Sequence, residues 1–361
     1  MKKYLIILMG WLVISGVWAD EGPRKLNVLT TTSDLKSITE SVGGDLVSVK
    51  SICLGNQDPH FTEAKPSFIL NARKADLFIK IGLDLEVGYE SLIIEGARNN
   101  KIKPGGDGYL DVSENTLLLD VAAAKVDRSM GDVHPFGNPH YWLDPYNGRI
   151  IARNITERLK KLAPEYKEVF NKNHEAFIKK LDESMFGAEL VKEFGGDKLW
   201  ELEITGKRNE FLAKINELRT APTEGGSASG GNNEPVFKLS GWVEKGEILR
   251  GVKLVMFHRS WNYFISRFGM VSVGEVEPKP GIPPGPAHLK DLIKKMQDDQ
   301  VKVIMIESFY DKKSSDFVAG HSGGRVVTAP ISVDGESGVN DYITLIDTII
   351  NRLVGAIKNN E

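Results

Sequence analysis

The chain of 361 residues contains one cysteine, Cys53, so no intramolecular disulfide can form and stability must come from packed cores and from any ion the protein holds. Between Ile52 and Leu54 that thiol reads as a small buried hydrophobe. Positive charge is not in excess. There are 46 Lys and Arg against 49 Asp and Glu, and losing a leader that carries Lys2 and Lys3 makes the chain more acidic, which argues against a nucleic acid partner. Beyond Val17 no apolar run approaches the roughly 20 residues that span a bilayer, so the mature protein is expected to be soluble. A His-Glu-x-x-His helix is also missing, which argues against an exported zinc hydrolase, since that chemistry needs an open coordination position and a general base.

The first residues supply a destination. Lys2 and Lys3 precede a nearly unbroken apolar run from Tyr4 to Val17, and Val17-Trp18-Ala19 offers the small residues that a signal peptidase reads, predicting cleavage after Ala19. Export to the periplasm follows. No cysteine lies near that point, so lipid attachment there is not expected.

Histidine is scarce, seven in all, and three of them sit in distinctive contexts: Asp58-Pro59-His60, Asn138-Pro139-His140 and Phe257-His258-Arg259-Ser260-Trp261, with Asp334 far downstream. Three imidazoles and a carboxylate make a four-coordinate shell that holds a divalent ion and leaves no position for a reactive water. The prolines before His60 and His140 stiffen their turns, so less entropy is lost when an ion organises them. The donor set favours zinc, with manganese or iron as alternatives. Because ligating imidazoles must be neutral, affinity is expected to fall as the pH drops through about 6. Asp144 and Glu307 are candidate acceptors for the imidazole N–H groups. His174, His288 and His321 read as structural, and His134 as a loop residue.

Strand-like and helix-like runs alternate, predicting an α/β fold with mainly parallel sheets flanked by helices. Strands are expected at Leu26 to Thr31, Val47 to Leu54, Leu77 to Ile81, Lys253 to His258, Val271 to Val276, Val301 to Ile306 and Arg325 to Ile331. His60 and His258 then lie beyond the carboxyl ends of strands, where open sheets of this kind bind ligands. Apolar residues from Ile151 to Leu181 recur every three or four positions, predicting a rigid helical connection in which Pro164 opens a second helix. The resulting divisions are a leader at 1–19, an amino-terminal lobe at 20–147, a helical linker at 148–186, an insertion at 187–250 with a Gly/Ser-rich loop, and a carboxyl-terminal lobe at 251–361. Glu193 to Leu218 reads as a helical pair broken at Gly195-Gly196.

These motifs, with Gly137-Asn138-Pro139-His140-Tyr141-Trp142-Leu143-Asp144-Pro145, Pro283-Pro284-Gly285-Pro286-Ala287-His288-Leu289 and Val303-Ile304-Met305-Ile306-Glu307-Ser308, resemble the metal-specific solute-binding proteins of bacterial ATP-binding-cassette importers. The likeness runs from about Leu26 to Leu353 except over 187–250. It implies two similar lobes joined by a long rigid helix, a non-enzymatic monomer that clamps one ion as cargo, and delivery to a membrane permease. It implies His60 and His140 as amino-lobe ligands and His258 and Asp334 as carboxyl-lobe ligands. Arg259 departs from the pattern by placing a cation beside the site, which would weaken ion binding unless a carboxylate neutralises it. The context of Asp334 is looser than usual, leaving Glu336 as a competitor. Rival classes are a receptor for an organic solute and a surface adhesin.

Overall fold

A computed structural model describes residues 24–122, 134–220 and 236–358. The leader and the Gly/Ser-rich loop fall outside the described residues.

Strands β1 (Leu26–Thr30), β2 (Val47–Ser51), β3 (Leu77–Lys80) and β4 (Tyr109–Asp111) form one parallel sheet in the order β2-β1-β3-β4. Strands β5 (Lys253–Met256), β6 (Val271–Glu275), β7 (Val303–Glu307) and β8 (Arg325–Ala329) repeat that order as β6-β5-β7-β8, again all parallel. Helices between the strands enforce the parallel arrangement, since a parallel pair needs a crossover connection. The expected lobes are therefore present, and every strand except β4, which was not expected, lies within a few residues of its predicted span. β7 is buried along its whole length, as a central strand covered on both faces must be.

The connection between lobes starts at Pro145, where Asp144 accepts from Tyr146 N at 2.9 Å and caps the helix Pro145–Leu162. Pro164 opens a 3₁₀ turn, and helix Lys167–Phe186 follows, about 30 Å long at 1.5 Å per residue. Ile151, Ile155, Leu159, Phe170, Phe177 and Leu181 belong to one apolar core that also takes in Tyr342, Leu345 and Ile349 of the last helix, Tyr342–Lys358. Gly148 permits the crossing: a Cβ there would meet the Tyr342 ring at 2.5 Å.

The region after Phe186 holds three helices, Ala188–Phe194, Gly196–Ile204 and Arg208–Thr220, where a pair was expected. The break does fall at Gly195, whose φ of +76° suits glycine. The middle helix carries fully buried Trp200, whose ring lies 5.4 Å from the Arg267 guanidinium. Arg267 in turn makes a bidentate pair with Asp144, at 2.8 and 2.7 Å. The added helices thus brace the junction of linker and second lobe.

The lobes also meet through main chain. Ser33 Oγ donates to Val333 O at 2.6 Å, Val333 N donates to Asp34 Oδ1 at 2.9 Å, and a Cβ on Gly55 would lie 1.9 Å from Val333 O.

Candidate metal centre

His60 lies in the turn Pro59–Phe61 after β2, His258 two residues beyond β5, and His140 just before the linker helix. Donor atoms of these three residues all lie within 4.8 Å of one another, the arrangement a single ion needs. Their ring centroids are 5.1, 5.4 and 5.6 Å apart.

Each imidazole is held from behind. Asp58 Oδ1 accepts from His60 N at 2.9 Å and lies 2.8 Å from its Nδ1; Asn138 Oδ1 accepts from His140 N at 3.0 Å and lies 2.9 Å from its Nδ1. The two Asx-Pro-His tripeptides therefore build the same device, a side-chain turn that grips backbone and ring together. The Asn138 amide is oriented by its Nδ2, which donates to Arg259 O at 2.8 Å. For His258 the partner is Glu277 Oε2, 2.8 Å from Nδ1, which also accepts from Gly281 N at 3.0 Å. With each Nδ1 facing an acceptor, the proton sits there and the Nε2 lone pair is left for a metal.

These acceptors replace the two expected from sequence. Asp144 is committed to Arg267 and to capping a helix. Glu307 is fully buried with neither carboxyl oxygen hydrogen-bonded, and burial pushes its pKa up to about 8 against a weaker pull from Ser260. The native carboxyl thus keeps its proton from the unfolded value near 4.5 up to about 8, so stability is full below that window and is lost as pH rises through it. Glu307→Gln removes this dependence. Urea denaturation at pH 5 and pH 9 is expected to show the parent losing stability relative to the variant, by up to about 1.4 kcal/mol per pH unit within the window. Parallel pH profiles for the two proteins would refute this.

Asp334 does not join the three histidines. It is exposed, at φ +60° in the turn after β8, and its neighbour Val333 has its backbone fixed to Ser33 and Asp34 of the other lobe. Glu336 is bound instead to Arg352 and to no histidine among the described residues. Among the described residues the group of side chains already close enough to share an ion consists of these three imidazoles, and Asp334 is not among them.

The fourth imidazole is His134, read from sequence as a loop residue with transient metal capture as the alternative. Its Nε2 lies 3.2 Å from His60 Nε2, although it falls outside the mutual limit met by the other three. A cavity of about 60 Å³ is lined by His134, His140, His258, Asn138 and Asp120. Burial first, and then the neighbouring imidazoles, hold His140 well below the usual histidine pKa; the same causes lower His134 to about 3. These two rings stay neutral below pH 6, so their protonation does not account for a fall in affinity as the pH drops through about 6. Arg259 is offset by Glu275, 3.3 Å away. His288 and His321 hydrogen-bond backbone carbonyls of Glu275 and Phe317, structural roles as expected.

Two like lobes with three imidazoles gathered at one point define a candidate metal-binding protein. The family model described as zinc-uptake complex component A, periplasmic, matches residues 28–185 and 240–356, and the chain belongs to that family. The unmatched stretch between them contains the three added helices. Among curated relatives, the metal ABC transporter substrate-binding lipoprotein ScbA of Streptococcus cristatus is 33% identical over 189 residues, covering 50% of this chain and 58% of that protein. The manganese ABC transporter substrate-binding lipoprotein PsaA of Streptococcus pneumoniae is 25% identical, covering 94% of this chain and 92% of that protein. A crystal structure of ZnuA aligns with TM-score 0.62 at 21% identity over 92% of this chain and 99% of that one. The manganese-bound periplasmic metal-binding protein from Candidatus Liberibacter asiaticus aligns with TM-score 0.60 at 18% identity, covering 92% and 100%. At those identities the structural matches establish the fold alone.

Proposed function

We propose that the protein is an exported receptor that captures a divalent transition metal ion, zinc, between its lobes and passes it to the membrane permease of an ABC-type importer. The observation that carries this reading is the convergence of His60, His140 and His258, each with its Nδ1 turned to an acceptor. His134 competes with Asp334 as the fourth donor, and it would have to shift toward His140 and His258 to share the ion with all three. Two nitrogens bound at about 2.0 Å to a tetrahedral zinc are about 3.3 Å apart, which matches the His60–His134 separation of 3.2 Å. An all-imidazole shell suits zinc better than manganese, which favours carboxylate and carbonyl oxygen. Some relatives are named for manganese, so cargo is the point to test. A periplasmic family and relatives named as lipoproteins support action outside the cytoplasmic membrane. Among the described residues no helix is long and apolar enough to cross a membrane.

The test is elemental analysis of protein recovered from its native envelope without an affinity resin, followed by zinc titration of the metal-free protein. Zinc is expected to predominate, and Trp142 emission is expected to change on titration because its ring lies 5.3 Å from that of His140. At a free zinc concentration a thousandfold above Kd, stability should rise by about 4 kcal/mol. Predominant manganese would overturn zinc as the cargo, and failure to bind either ion would overturn the receptor reading.

A further inference from the structure

Tyr310 lies just beyond β7 in the carboxyl-terminal lobe, and its hydroxyl donates to Asp58 Oδ2 in the amino-terminal lobe at 2.5 Å. Asp58 uses its other oxygen on His60, at 2.9 Å to N and 2.8 Å to Nδ1. One carboxylate therefore spends one oxygen on an imidazole of its own lobe and the other on a phenol of the opposite lobe. The same division recurs at His140: Asn138 gives its oxygen to the ring, its Nδ2 to Arg259 O at 2.8 Å, and its carbonyl to Tyr263 OH at 2.7 Å. Both groups that orient the amino-lobe imidazoles are thus themselves held by the carboxyl-terminal lobe. The Arg259 contact is made by backbone, whereas Tyr310 engages through a hydroxyl that can be removed without disturbing the ring.

From this geometry we propose that Tyr310 is a positioning residue for metal capture: by locking Asp58 across the cleft it makes the orientation of His60 conditional on the lobes being shut. The inference rests on the receptor reading above. With the lobes closed, Asp58 is fixed at both oxygens and the His60 ring is aimed at the ion. When the lobes part, the Tyr310 hydroxyl withdraws, Asp58 regains its rotamers, and His60 loses its aim along with the ligand His258 that leaves with the other lobe. Unloading then needs no separate trigger, because opening and loss of affinity are one event. The Tyr310 ring is seated against Phe257 and Phe309, each with centroids 4.7 Å away, so Tyr310→Phe keeps the packing and removes only the donor. Burial, then the Asp58 carboxylate, hold the phenol well above its ordinary pKa, so it remains a donor throughout the physiological range.

The experiment is stopped-flow release of zinc into excess chelator from the full chain, its Tyr310→Phe and Asp58→Asn variants, and the double variant. Orienting groups behind a metal ligand are worth 10- to 100-fold in affinity, so Tyr310→Phe is expected to speed release by about 10-fold, with association changed by no more than about twofold. In the Asp58→Asn background the same substitution is expected to have almost no effect, because the residue acts through that carboxylate. A purely packing role would instead lower the melting temperature of the metal-free protein and would act equally in both backgrounds. Unchanged release from Tyr310→Phe, or equal acceleration with and without Asp58, overturns the inference. If the unaltered protein binds no zinc, the receptor reading fails; if it binds zinc and only the Tyr310 result is negative, that reading stands and this one falls.

Discussion

Replacing His140 with alanine is expected to lower zinc affinity by at least about 10³-fold, well beyond the 10- to 100-fold that orienting groups contribute. His140 is 2% exposed, its Nδ1 is engaged by Asn138, and its other nitrogen belongs to the group whose donors lie within 4.8 Å. Alanine leaves a void that a water can fill, but a water bound to the ion is a poor substitute for a fixed nitrogen. The same substitution at His60 or His258 should be comparably severe, whereas His134→Ala should cost less, since that side chain falls outside the tight group. Asp334→Ala should bind as the parent does. Calorimetric titration of the five proteins checks this order. Parental affinity in His140→Ala would remove it from the ligand set, and a loss in Asp334→Ala equal to that of His140→Ala would return the carboxylate to the ion.

The second large effect is structural. Arg267→Met is expected to destabilise the metal-free protein by about 3–5 kcal/mol, the usual consequence of removing one member of a buried ion pair. The stranded partner would be Asp144, whose side chain is 6% exposed and whose two oxygens both accept from the guanidinium. Arg267 also lies over Trp200 at 5.4 Å and near Tyr146 at 6.0 Å, so charge and packing go together. Equilibrium urea unfolding should show a lower midpoint with an unchanged slope. A loss below about 1 kcal/mol would mean that the pair is solvated in solution, as surface pairs are.

Most strands and helices were readable because their periodicity is strong and uninterrupted, as in Val303-Ile304-Met305-Ile306 or the linker's spacing from Ile151 to Leu181. β4 escaped because three residues, Tyr109–Asp111, set in a glycine-rich stretch leave no period to detect. The helix Glu90–Ala97 was missed for a similar reason, being only eight residues long with a glycine inside it. The three core histidines were legible from their turns; what surrounds them was legible only in part. Asp58 and Asn138 stand two residues before a histidine in matching tripeptides, and that repetition was the available signal, since a short acceptor at that position reaches both the backbone N–H and the ring. Glu277 offered no such signal, being 19 residues from His258 and brought to it only by folding. Asp334 stands apart from the three imidazoles in a turn whose backbone is tied to the other lobe, an arrangement that the sequence around it does not signal. His134 was undervalued because one histidine in a loop carries no pattern until its neighbours are known.

The contact at Gly55 sets a limit of a different kind. Two peptide chains graze each other there with nothing between them, so even the smallest branch on that carbon would act as a doorstop. How closely these two loops can approach is decided by the thickness of a single methyl group.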